Sequence, residues 1–291
     1  MSAVRIWVMA ARLRTLPAAI APVLVGTSLA GNADEFDGAA FACALLGALF
    51  IQVGTNLSND YSDARRGADT EDRLGPVRVT AGGLVPPRQV LIATYVSFGL
   101  AVACGVYLIA VAGWVLLAIG AASIVAGVLY TGGPRPYGYE GLGEVFVFLF
   151  FGIVAVSGSY YVQIQELPWQ VFALAVPVGL LAAAILVVNN VRDIDTDRRA
   201  GKRTLAVRLG RERTRMLYVG MLALAYLSLA VLVAGLCAWV LLALASLPLA
   251  ARLVGIVRTK TDGPSLNGAL AGTGMLQLVF CLLLSAGVLL C

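Results

Sequence analysis

Long apolar runs alternate with short polar connections along this chain. The pattern predicts nine apolar helices, at residues 16–32, 38–58, 89–111, 113–130, 142–163, 169–190, 214–234, 236–256 and 266–290. Each has the roughly 17–25 residues an α-helix needs to cross a bilayer. None shows the period-two alternation of a membrane β-barrel strand. The breaks at Ala112-Gly113 and at Gly235 are the weakest punctuation. Ahead of the first run, MSAVRIWVMAARLRTLP is basic and amphipathic, interrupted by Arg12 and Arg14. It reads as an interfacial helix rather than a cleavable leader. The expectation is an all-α integral membrane protein, with nine transmembrane helices forming one polytopic domain over residues 1–291.

Composition agrees. Hydrophobic residues make up 60% of the chain and charged ones 13%, against about 25% charged in a soluble domain. All 21 Lys and Arg residues fall before the first run, in alternate connections, or, for Arg215 and Arg252, near the run ends beside those connections. The other connections hold Asp34, Glu35, Asp37 and Glu166 and no basic residue. The positive-inside rule then places the N-terminus and the polar connections in the cytoplasm and the C-terminus outside. This basic balance reads as membrane topology, and no nucleic-acid partner is expected.

The polar chemistry concentrates at two points on that cytoplasmic side. After the apolar run Val171 to Val188 comes NNVRDIDTDRRAGKRTLAVR. Asn189, Asp193 and Asp197 are spaced i, i+4, i+8, so a continuing helix lines them on one face. Asp195 points to another side. The second run ends in GTNLSNDYSDARRGADTEDRLGPVRVTAGGLVPP. There Asn56/Asp60 and Asn59/Asp63 are i, i+4 pairs, Gly67 is a natural stop, and Asp69, Glu71 and Asp72 follow. One such cluster would be explained as a polar helix end. Two of them, each with an Asn one turn before an Asp and both on one membrane face, suggest a shared site.

Carboxylates gathered at a membrane boundary repel one another and are costly unless a cation neutralises them. The chain has no histidine, so a bound metal would be a hard cation on oxygen ligands, such as Mg²⁺. Mg²⁺ bridging Asp60, Asp63, Asp193 and Asp197 to a diphosphate satisfies the arrangement, with Asn56 and Asn189 as further oxygen donors. Arg65, Arg66, Lys202 and Arg203 would complement phosphate oxygens. Between the clusters lies YTGGPRPYGYEGLGE, a Gly/Pro-stiffened connection. It carries Arg135 and the aromatic faces of Tyr130, Tyr137 and Tyr139, which also suit a simple interfacial belt. Glu144, early in the fifth run, is expensive there and is expected to be paired or functional. The five cysteines are scattered, with no CxxC spacing, and read as apolar filler.

These stretches together resemble the UbiA-type superfamily of intramembrane prenyltransferases. The likeness runs from RLRTLPAAIAPVLVG through NLSNDYSDARRGAD, RLGPVRVTAGG and YTGGPRPYGYEGLGE to NNVRDIDTDRRAGKRTLAVRLG. It looks closest to the branch that prenylates 1,4-dihydroxy-2-naphthoate in menaquinone synthesis. Asn189, Asp193 and Asp197 match the second family motif without a gap, and Lys202 and Thr204 match the GK-T after it. The first motif departs from NxxxDxxxD: Asn56 and Asp60 match, but Ala64 occupies the next place, leaving Asp63 and Asp69 as alternatives. The resemblance implies helices around a central cavity capped by the aspartate motifs, lateral entry of a polyprenyl tail from the bilayer, and a prokaryotic plasma membrane. It implies Mg²⁺-dependent transfer from polyprenyl diphosphate to 1,4-dihydroxy-2-naphthoate with loss of CO2, giving demethylmenaquinone. Arg14 or Arg135 would then steer the acceptor carboxylate. Transfer to another ring, such as 4-hydroxybenzoate, is the nearest alternative. A secondary transporter is disfavoured because the acids gather at one end rather than at the midplane, and the DGxxAR…GxxxDxxxD pattern of CDP-alcohol phosphotransferases is absent.

Overall fold

The computed structural model describes residues 2–68 and 74–291. Helix α1, Ala3–Ala11, is capped by the Ser2 hydroxyl and lies largely exposed. It joins the 3₁₀ turn Leu13–Thr15, after which α2, Pro17–Asn32, begins. The two helical pieces meet at a bend of 51°, the placement expected of an interfacial helix leading into a span. The chain continues as α3 (Gly38–Arg65), α4 (Pro87–Ala112) and α5 (Val115–Leu129). Then come α6 (Gly143–Ile164), α7 (Trp169–Arg199), the short α8 (Leu205–Leu209), α9 (Arg211–Gly235), α10 (Ala238–Thr259) and α11 (Gly263–Leu289).

Each of the nine apolar stretches is helical, but their lengths do not all match the expectation. Among the described residues, seven helices are long and apolar enough to cross a membrane, and the bent α1–α2 pair makes eight. Helix α5 has 15 residues. At 1.5 Å per residue that is about 22 Å, less than the roughly 30 Å hydrocarbon core. Gly113, at positive φ, ends α4, and Thr131-Gly132 turns the chain after α5.

The bundle is arranged around α7. It packs on α6, α9 and α11 and touches α2, and residues such as Leu174, Val178, Leu181 and Val188 are fully buried. α2 lies between α6 and α11, while α3 and α4 pair with α5 beside them. The apolar faces of α4 and α5 stay exposed, through Ile92, Val96, Val102, Val106, Leu117 and Val125. In a bilayer these contact lipid rather than water. The backbones of α6 and α7 approach closely, and a Cβ on Gly152 would stand 2.6 Å from Gly179 Cα. Small residues permit this kind of helix crossing. On the α6 side the turn is π-helical, over Phe148–Val154. A disulfide joins Cys237, before α10, to Cys291, after α11. This corrects the reading of all five cysteines as filler: Cys237 and Cys291 are far apart in sequence and come within 5.6 Å, Cα to Cα, only because α10 packs along α11.

Candidate active site

Helix α3 runs without interruption from its apolar half into Asn56–Asp63, and α7 runs from Val171 through Asn189, Asp193 and Asp197. No proline or glycine breaks either polar end, so the two motifs are carried on rigid helices. Their tips meet through the connections that follow them. Lys202 Nζ, beyond α7, lies 3.7 Å from Asp63 Oδ1 and 4.6 Å from the centre of the Tyr139 ring. Tyr139 donates its hydroxyl to the same Asp63 oxygen at 2.5 Å, while Arg203 N–H donates to the Tyr139 carbonyl at 2.8 Å. Arg78 Nη2 reaches Asp63 Oδ2 at 3.4 Å. Asp63 is 1% exposed, so it is the point where three connections converge.

The other motif residues are held differently. Asp60 accepts Thr80 N–H at 2.9 Å and Val79 N–H at 3.1 Å, one on each oxygen. Asn56 donates to the Ala11 carbonyl and to Thr15 Oγ1, tying α3 to the N-terminal turn. Asp193 is gripped by Arg192, with Nε to Oδ1 at 2.7 Å and Nη2 to Oδ2 at 2.5 Å. Arg192 also donates to Asn189 Oδ1 and to Asn267 Oδ1. Asp197 accepts Lys202 N–H on its backbone carbonyl and lies with Asp63 and Glu144 within electrostatic reach of the Tyr130 hydroxyl. Asp195 is exposed and pairs with Arg211 at 2.7 Å, on the side away from the motif.

The remaining expected residues separate into near and far. Glu144 is 3% exposed and accepts from Asn190 Nδ2 at 2.8 Å, so it is paired across α6 and α7. Tyr130 and Tyr137 meet edge to face, and Tyr137 stacks on Phe146 with centroids 4.0 Å apart. Burial pushes the Tyr137 phenol above its ordinary value, and its hydroxyl donates to the Ala126 carbonyl. Arg66 bonds the Gly133 carbonyl and Arg65 the Tyr61 hydroxyl. Arg14, Arg135 and the Arg203 side chain are exposed at the surface. Asp69, the alternative to Asp63, lies outside the described residues with Glu71 and Asp72. Arg78, Arg192, Asn190 and Asn267 had been read as charge balance or not at all. Arg192 carried a signal, since its i, i+3 spacing from Asn189 puts it on the motif's own face.

Among the described residues, no three carboxylates stand close enough together to hold a cation unaided. Mg²⁺ ordinarily takes one or two protein carboxylates together with phosphate and water oxygens. An oxygen-only set fits that mode, with the buried Asp63 linked through Lys202 to the connection that follows Asp197. The arrangement is a cationic and anionic cap over an apolar helical bundle, the chemistry required to bind a charged head attached to a hydrocarbon tail.

Residues 19–270 match the UbiA prenyltransferase family, and the chain belongs to it. A 1,4-dihydroxy-2-naphthoate octaprenyltransferase of Mycobacterium tuberculosis is 47% identical over 279 residues, covering 95% of this chain and 94% of that protein. The Bacillus subtilis protein of the same name is 33% identical, covering 96% and 90%. Among solved structures, a UbiA homolog from Archaeoglobus fulgidus bound to DMAPP and Mg²⁺ superposes with a TM-score of 0.69 at 17% identity, covering 97% of this chain and 98% of that one. That likeness is one of fold.

Proposed function

We propose that the protein transfers a polyprenyl group from polyprenyl diphosphate to 1,4-dihydroxy-2-naphthoate, with release of CO2 and diphosphate, at the cytoplasmic face of a prokaryotic plasma membrane. The observation that carries this reading is the convergence of Lys202, Arg78 and Tyr139 on Asp63, which joins the two aspartate motifs into one cap. The names of its relatives support the naphthoate acceptor.

Asp63, Asp193 and Asp197, with Asn189, would supply oxygen donors to Mg²⁺ bridged by phosphate and water oxygens, and the bound ion would neutralise the diphosphate and the charge it gains on leaving. Lys202, buried beside Asp63, would hold the same leaving group as a fixed cation. The Tyr130, Tyr137 and Phe146 rings pack together beside the cap, and the apolar helices would exclude water from the allylic carbon. The C–O electron pair departs with the diphosphate. The ring carbon bearing the carboxylate donates its pair to the allylic carbon, and the bond to the carboxylate returns a pair to the ring as CO2 leaves. No ring proton has to be removed, which accords with a chain lacking histidine. The product forms at the quinol level of demethylmenaquinone.

The test is a membrane assay with labelled polyprenyl diphosphate and a panel of acceptors. Labelled product from 1,4-dihydroxy-2-naphthoate, lost with EDTA and restored by Mg²⁺, is expected. Product from 4-hydroxybenzoate instead would move the protein to another acceptor class, and EDTA-resistant transfer would remove the metal from the account.

A further inference from the structure

We propose that Arg78 is a diphosphate-binding residue of the transfer reaction and that Asp60 serves it as a positioning residue, not as a metal ligand. This rests on the prenyl-transfer reading above and refines its site.

The argument starts with the Asp60 carboxylate. It is 2% exposed, and its two oxygens accept from two successive backbone amides, Val79 N–H and Thr80 N–H. Two backbone amides fixed in the loop hold both oxygens and cannot swing away to admit a cation, as the Arg192 side chain on Asp193 can. The residue immediately before these amides is Arg78. Locking residues 79 and 80 onto the end of α3 fixes the direction in which the Arg78 side chain leaves the loop. That direction is toward Asp63, one turn further along α3, where Nη2 stands 3.4 Å from Oδ2. The same loop is anchored at its near end, where Asn267 Nδ2 donates to the Leu74 carbonyl at 2.9 Å.

Asp63 therefore receives Arg78 on one oxygen and Lys202 on the other. Two cations from two different connections flank a single carboxylate at the mouth of the site. A diphosphate is the substrate group that such a pair complements. A guanidinium adds a planar, two-pronged donor suited to phosphate oxygens. The first motif's own arginines are less well placed, because Arg65 bonds Tyr61 and Arg66 bonds the Gly133 carbonyl. Nothing in the spacing of the sequence singles out Arg78. It acquires its place through a tether from Asp60 that crosses a loop.

The experiment uses the full-length protein in nanodiscs, with labelled polyprenyl diphosphate, 1,4-dihydroxy-2-naphthoate and a Mg²⁺ titration. The variants are Arg78→Gln, Arg78→Lys, Asp60→Asn, the Asp60→Asn/Arg78→Gln pair, and Asp63→Asn as the comparison. Loss of a charge-assisted phosphate contact should raise KM for the prenyl diphosphate about 10- to 100-fold in Arg78→Gln, with the acceptor KM unchanged. Arg78→Lys should recover part of this. Asp60→Asn should reproduce the Arg78→Gln defect with an unchanged Mg²⁺ half-saturation point. The double variant should be no worse than Arg78→Gln alone, because both changes act through one contact. Asp63→Asn should shift the Mg²⁺ dependence. If Asp60→Asn shifts it in the same way, or if the two losses multiply, the positioning role is overturned. A normal KM in Arg78→Gln overturns the diphosphate contact and needs no folded Asp60 variant. Failure of the unaltered protein to prenylate the naphthoate would instead overturn the function proposed above.

Discussion

Lys202 Nζ lies 3.7 Å from Asp63 Oδ1 and faces the Tyr139 ring at 4.6 Å. The side chain thus joins the second aspartate motif to the first, across the Gly/Pro-rich connection that carries Tyr139. Among the described residues its ammonium group meets a carboxylate and an aromatic face, and a diphosphate would be a further partner.

The first prediction concerns this contact. Lys202→Met removes the cation while keeping the length of the stem. It should lower kcat/KM for the prenyl diphosphate by about 10- to 100-fold, the usual worth of a charge-assisted hydrogen bond. Lys202→Arg should retain part of the activity. Steady-state kinetics at saturating acceptor checks this, and wild-type efficiency in Lys202→Met would remove Lys202 from the site.

A second prediction follows from Arg192, which is 2% exposed and bonds Asp193 twice, Asn189 once and Asn267 once. Arg192→Met leaves the Asp193 carboxylate buried without its counter-charge. Breaking a buried pair this way costs about 3–5 kcal/mol. The thermal midpoint of the detergent-solubilised protein should fall clearly, and a second change, Asp193→Asn, should restore part of it. An unchanged midpoint in Arg192→Met would show that Asp193 does not depend on Arg192.

Much of this was legible in the sequence, for physical reasons. Apolar run length reports membrane crossing directly, because lipid permits only closed hydrogen bonding. The i, i+4 spacing of Asn189, Asp193 and Asp197 reports one helical face because α7 continues unbroken to Arg199. Hidden from it were the partners chosen by tertiary packing. Asp60 looks equivalent to Asp63 by spacing, yet one faces backbone amides and the other faces Lys202, Arg78 and Tyr139. Asn267 lies 75 positions from Arg192, and no local rule connects them. The shortness of α5 was masked because Ala112-Gly113 and Thr131-Gly132 are themselves apolar or neutral.

The third prediction tests the contact between α6 and α7. A Cβ on Gly179 would stand 2.8 Å from the Phe148 carbonyl oxygen, and backbone cannot move aside as a flexible side chain does. Gly179→Leu should overpack this crossing and cost about 1–3 kcal/mol. Gly220→Ala in α9, where a Cβ meets nothing within 4 Å, is the control and should be neutral or slightly stabilising. Thermal midpoints of the two variants decide the matter. Equal midpoints would mean the two helices can separate freely at Gly152 and Gly179.

The last prediction concerns the membrane face opposite the site. Cys237 and Cys291 are joined at the start of α10 and the end of α11. In the nine-span, charge-based topology the 21 basic residues gather toward the other ends of the helices, which predicts the disulfide on the outer face. Disulfides persist on the oxidising side of a membrane, so the bond's redox state in each compartment tests that orientation. In sealed right-side-out vesicles, an impermeant maleimide should label Cys237 and Cys291 only after an impermeant reductant has been applied. In inside-out vesicles the same treatment should leave them unlabelled. Cys237→Ser should lower stability by about 2–4 kcal/mol, since the bond closes a loop of more than fifty residues. Labelling confined to inside-out vesicles would invert the topology and place the aspartate cap outside the cell. Labelling without reductant would mean that the bond does not form in the membrane, leaving the charge pattern as the sole argument for orientation.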